Sequence, residues 1–201
     1  MSELTVLQGI RLKGRVSEAD LVATLGEDSA DVTATLAQLA GAGLLIEGKM
    51  LRISPNGRDR LNALLAQERS SIDQSALAQS YDEFRAVNHK FKALVADWQL
   101  KDGQPNTHDD ADYDAAILAR LDGIHQQVAP VLAAVTALLP RLDAYAGKLD
   151  SALTKVKAGD TSWFTRPIID SYHTVWFELH EEMIAASGLT RADEAKAGHA
   201  D

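Results

Sequence analysis

Between residues 72 and 100 the apolar side chains Leu77, Tyr81, Phe84, Phe91, Leu94 and Trp98 recur at steps of three, four or seven. That is the period of an α-helix with one buried face. A helix this long cannot cover such a face alone and must pack against other helices. The following residues supply them. "KDGQPNTHDDAD" is polar, holds Gly103 and Pro105, and reads as a loop. Residues 112–139 form a second long helical run, in which Pro130 is expected to kink or break the helix. Pro140 opens a third helix, with Gly159 just past its end. A fourth is expected to hold Pro167 in its first turn and to stop at Gly188. The expectation is an antiparallel helical bundle over residues 71–190, followed by a small polar tail over 191–201. No run approaches the roughly 18 uninterrupted apolar residues of a membrane span.

The first seventy residues are punctuated differently. "LTVLQGIRLKG" is a helix ending at Gly14, and "SEADLVATLG" is a second, capped by Ser17 and closed at Gly26. A third covers "DSADVTATLAQLAGAGL", where Val32, Leu36 and Leu39 fall at helical spacing. The period then changes: "LLIEGKMLRIS" has two short apolar runs about Glu47-Gly48-Lys49, a hairpin signal. Helix resumes after Pro55, Asn56 and Gly57. Three helices, a hairpin and a helix, in that order, make a winged helix-turn-helix over residues 1–70. The fold class expected of the whole chain is therefore mainly α.

"LRISPNGRDRLNALL" resembles the strand-to-helix joint of the MarR and PadR regulator families, and the resemblance extends over residues 3–69. It implies a transcriptional regulator that binds DNA as a homodimer and whose helical part takes a small-molecule effector. A winged helix lays its second helix-turn-helix helix in the major groove and holds phosphates with its wing. Ser29, Thr33 and Gln38 are then the groove candidates, and Lys49, Arg52 and Arg58 the phosphate candidates. Charge cuts both ways. The chain carries −9 in all, and its first seventy residues hold eight basic and nine acidic side chains, so the acidity belongs to the helical part. Yet residues 28–39 contain no lysine or arginine, and Asp28 and Asp31 stand at their leading end. The alternative is a protein-interaction or accessory module that does not bind DNA. "DSYHTVWFELHEEMIAASGLTRADEAKAG" is similar to the C-terminal tail of actinobacterial proteins related to pyruvate phosphate dikinase. That similarity implies association with a phosphoenolpyruvate-utilising enzyme, not catalysis.

The segment "TSWFTRPIIDSYHTVWFELHEEMI" concentrates two of the three tryptophans and two of the six histidines. On a helix from residue 167 onward, His173, Phe177, His180 and Ile184 form one stripe. It reads as a packing spine, with a metal site as the alternative. Asp170 and His173 are three apart, and "GDTSWFTRPIIDSYH" is similar to the closing part of the ion-binding helical domains of GntR-type regulators. His173 and His180 lie about 10.5 Å apart along a helix axis. A divalent metal there would need His89, or His125 with Asp122, from other helices. No GxSxG, GxGxxG, P-loop or HExxH is present, so the chain does not read as an enzyme. It has no cysteine, and "MSELTVLQGIRLKG" shows no secretory pattern. A cytoplasmic location without membrane contact is expected.

Overall fold

The computed structural model describes residues 2–46 and 48–198; Glu47, counted above in the hairpin signal, lies outside the described residues. The chain is mainly helical. It divides into two compact units: Met1–Ile72 with His180–Leu189, and Asp73–Leu179 with Thr190–Asp201.

The first unit is built from α1 (Glu3–Lys13), α2 (Glu18–Leu25), α3 (Ser29–Gly41), β1 (Leu45–Ile46), β2 (Arg52–Ile53) and α4 (Pro55–Ser70). Side-chain caps start three of these helices. Ser17 accepts from the Asp20 amide, Asp28 from the Ala30 and Asp31 amides, and Ser54 from the Gly57 amide. Leu7, Ile10, Leu21, Val32, Leu61 and Leu65 meet in one core with Leu45 and Ile53 of the hairpin. Each such side chain, fully buried, contributes roughly 1.5–3 kcal/mol. The hairpin pairs Leu45 with Ile53 and Ile46 with Arg52. Val16, between α1 and α2, bridges to Leu51 through two backbone hydrogen bonds, of 2.8 and 3.3 Å. One residue of the α1–α2 linker thus borders the hairpin.

Ser54 and Gly57 fix where α4 leaves the hairpin. The Ser54 hydroxyl donates to the Gly43 carbonyl at 2.8 Å while its oxygen caps α4. A Cβ on Gly57 would fall 2.1 Å from the Leu44 carbonyl oxygen. Only glycine permits this approach. The end of α9 (Tyr172–Ala186) also belongs to this unit: Gln8 donates to Glu182 at 3.1 Å, Arg11 meets Glu181 at 3.3 Å, and Arg69 donates to the Ala185 carbonyl at 2.9 Å.

The second unit contains α5 (Gln74–Gln99), α6 (Ala111–Leu138), α7 (Ala144–Lys157), α8 (Ser162–Thr165), the start of α9, and α10 (Arg191–Lys196). The segment expected to be a loop after α5 holds a hairpin, β3 (Leu100–Lys101) with β4 (Gln104–Pro105). Its turn, Asp102-Gly103, has both φ values positive, 53° and 75°. That turn type suits Asp-Gly and reverses the chain tightly, so α6 returns along α5. Pro130 lies inside α6 and does not end it. Pro140 opens a short 3₁₀ turn (Pro140–Leu142), and α7 starts after it. Pro167 precedes a non-helical segment; the last long helix starts at Tyr172, not at 167.

The aromatic side chains form the spine of this unit. Trp176 stacks on Phe91 at 4.3 Å and Phe84 at 5.2 Å, and Phe164 meets Trp98 edge-on at 5.3 Å. The Trp176 indole N–H donates to buried Asn88 at 2.8 Å, so its polar edge is satisfied. Of the expected stripe, His180 and Ile184 are buried and His173 is half-buried, but Phe177 faces outward. Tyr172, Val175, Trp176, Leu179 and Met183 are buried, whereas Phe177 is 41% exposed and lies under the Arg191 guanidinium.

The segment read as a polar tail forms α10, capped by Thr190. Glu194, 2% exposed, accepts from the Tyr81 hydroxyl at 2.7 Å, from Arg85 Nε at 3.0 Å, and from Arg85 Nη2. Burial, then the Glu194 carboxylate, pushes the Tyr81 hydroxyl well above its ordinary pKa. It therefore serves as a donor at any working pH.

Two substitutions test this packing. Gly57→Ala must displace the Leu44 backbone and is expected to cost about 1–3 kcal/mol or more, lowering the melting temperature by ~5 °C or more. Glu194→Ala strands the buried Tyr81 hydroxyl and is expected to cost about 1–3 kcal/mol. In urea titrations followed by circular dichroism, an unchanged midpoint for either variant would contradict the corresponding contact.

Candidate functional site

In the first unit the hairpin register decides which side chains share a face. Pairing of Val16 with Leu51 and of Ile46 with Arg52 makes residues 51 and 52 the middle of the ladder. Arg15 precedes Val16 in a bend, and Arg52 follows Leu51, so the two arginines flank the bridge. Cross-strand partners share a face, and faces alternate along a strand. The burial pattern agrees: Val16, Leu45 and Ile53 are buried, whereas Arg15, Ile46 and Arg52 are exposed. Both arginines that flank the bridge are thus open to solvent. Neither makes an ion pair or side-chain hydrogen bond with a described residue. Lys49 is exposed in the hairpin loop, and Arg58 is exposed in the first turn of α4.

The other cations near α1 and α4 are engaged. Arg11 is held by Gln8 and Glu181, and Arg60 grips Glu3 with two hydrogen bonds, of 2.9 and 2.6 Å. The Arg60 guanidinium keeps the Glu3 carboxyl below its usual range. Of the basic residues before α2, Arg15 alone is exposed.

The groove candidates stand on the outer side of α3. Ser29, Thr33 and Gln38 are all exposed. Thr33 is occupied, donating to Glu18 at 2.5 Å. Exposed Glu27, Asp28 and Asp31 surround the leading end of the helix, and Asp28 is its cap. The basic strip of the hairpin was not legible in the sequence as a strip. Arg15 and Arg52 are far apart in the chain, and only the Val16–Leu51 bridge brings them together.

The metal candidates do not assemble. Among the described residues no three of His, Cys, Asp and Glu come together as a set that could hold a metal ion. His89 is exposed on α5. His173 packs on the Phe91 ring at 6.0 Å, and Asp170 lies 4.0 Å from the Lys148 ammonium. His180 is buried at 5% exposure, two turns along α9 from His173. Asp122 is taken by Lys157 at 2.7 Å. His125 is fixed from both ring nitrogens: Nε2 meets Asp150 at 2.9 Å, and Nδ1 meets the Tyr172 hydroxyl at 3.2 Å. With Nε2–H donating to Asp150, Nδ1 accepts from Tyr172. Burial, then the charges of Asp150 and Asp122, raises the Tyr172 pKa and keeps that donor protonated. Each histidine with a described partner thus serves packing or hydrogen bonding.

Burial lowers the His173 pKa, because the half-buried imidazole resists charging. Below the ordinary histidine value of about 6.5 the unfolded chain binds the proton more readily, so stability falls as pH drops through that value. Melting temperatures from pH 7.5 down to 5.5 are expected to fall less in His173→Gln than in the parent. Equal slopes would show that His173 is not desolvated. Comparison with known proteins gives no match: no family model, no curated protein and no solved structure matches this chain.

Proposed function

We propose that the first unit is a winged helix that binds DNA, with its hairpin as the main phosphate contact, in a transcriptional regulator. One observation carries the reading: Arg15 and Arg52, each next to the Val16–Leu51 bridge on its own segment, are both exposed, and neither makes an ion pair with a described residue. Like charges close together repel. A phosphate between them removes that repulsion and accepts from both guanidinium groups. Lys49 in the hairpin loop and Arg58 in the first turn of α4 are exposed as well. The element order α1, Val16 bridge, α2, α3, hairpin, α4 is that of a winged helix, and the exposed Ser29, Thr33 and Gln38 suit contacts in a groove. A cytoplasmic homodimer would set two such units on two half-sites, and repacking of the helical unit on binding a small effector would alter their spacing.

A second reading has its own support. Glu27, Asp28 and Asp31 at the front of α3, with Glu18 holding Thr33, repel a phosphate backbone. They favour a non-catalytic protein-interaction or accessory module whose partner presents cations to α3.

A salt series separates the two. Fluorescence anisotropy with labelled genomic duplexes is expected to give binding that weakens steeply from 50 to 200 mM salt. Arg15→Ala/Arg52→Ala is expected to reduce the slope of log K against log salt by about 2. No binding at the lowest salt, or an unchanged slope, would contradict the proposal and favour the interaction module.

A further inference from the structure

α10 buries no apolar side chain. Of residues 190–198 only Glu194 is buried, and Ala192, Ala195 and Ala197 are exposed. Most helices in a folded protein owe their stability to an apolar face packed on a core, and a helix of six residues does not form in water unaided. The anchor here is a carboxylate instead. Glu194 accepts from the Tyr81 hydroxyl at 2.7 Å and from Nε and Nη2 of Arg85. The receiving groups belong to α5 and are held there without α10. Arg85 Nη1 donates to Asp82 at 2.7 Å, and the guanidinium lies 4.3 Å from the centre of the Tyr81 ring. Arg191 adds a second contact, 4.7 Å from the centre of the Phe177 ring.

We propose that α10 is a releasable strap. It opens as one piece while α5 stays folded, and it uncovers the Tyr81–Arg85 pair and the Phe177 ring. Opening withdraws no apolar side chain of α10 from a core. The Glu194 carboxylate regains its water, which offsets much of what its hydrogen bonds contribute. Arg85 keeps Asp82 as a partner. One charged cluster therefore sets the balance between closed and open, and segments held so lightly open locally before the whole unfolds. The surface uncovered is a guanidinium fork and a hydroxyl beside an aromatic ring, the chemistry that receives a carboxylate. In the closed state the chain's own Glu194 fills that place. None of this depends on DNA binding by the first unit.

Amide hydrogen exchange on the full chain, read residue by residue by NMR, tests the strap. The amides of Glu194 and Ala197 donate to the Thr190 and Asp193 carbonyls and report α10. Those of Phe84 and Asn88 report α5. The α10 amides are expected to exchange at least about a hundredfold faster than those of α5, with a weaker dependence on urea, because local opening exposes little surface. Glu194→Gln keeps the length of the side chain, removes its charge and is expected to speed exchange in α10 about tenfold. Val128→Ala opens the core at α6, which supplies none of the contacts above. It is expected to speed exchange in α5 about tenfold or more and to leave α10 unchanged. Rates in α10 and α5 that rise together in Val128→Ala would show that α10 opens only with the whole unit, and would overturn the proposal. So would α10 exchange in the parent at the rate of an unstructured chain, which means no closed state, or no change on Glu194→Gln.

Discussion

The approach of α4 to the Leu44 carbonyl is the constraint on which the first unit turns. Gly57 supplies the space, and Ser54 supplies the direction by capping α4 while reaching back to Gly43. Together they fix the strand that holds Arg52 and Ile53 against the strand that holds Leu45. With Ile53 inward, Arg52 must face out. The Val16–Leu51 bridge then carries Arg15 to its side. The basic face of the hairpin is a consequence of one missing Cβ and one serine hydroxyl.

The second unit is organised by a different economy of contacts. Its aromatic side chains stack about Trp176, whose indole N–H is answered by Asn88. Its polar groups are mostly spent on structure: Glu194 on Tyr81 and Arg85, Asp122 on Lys157, His125 on Tyr172 and Asp150.

Much of the helical layout was legible because its signals are local. Ser17 and Asp28 cap the helices that their positions announce, and the Leu77-to-Trp98 run is helical throughout. Pro130 does not break α6: on an exposed position it removes one amide and the helix runs on. The aromatic helix was recognised as packing, though Phe177 of the expected stripe faces outward. Tyr172–Leu179 serves the second unit and His180–Ala186 the first, so no single stripe describes it. α10 had a readable signal, Thr190 followed three residues later by Asp193, which accept and donate as a cap. The partners of Glu194, and the meeting of Arg15 and Arg52 at one bridge, depend on contacts remote in sequence. No residue pattern announces them.

The claim that the hairpin face meets phosphate is tested most directly by amide chemical-shift mapping of the protein with a duplex DNA fragment. The account predicts shifts concentrated at Arg15, at residues 48–58 and along the outer side of α3. Shifts confined to other surfaces, or none at all while the protein stays folded, would contradict it.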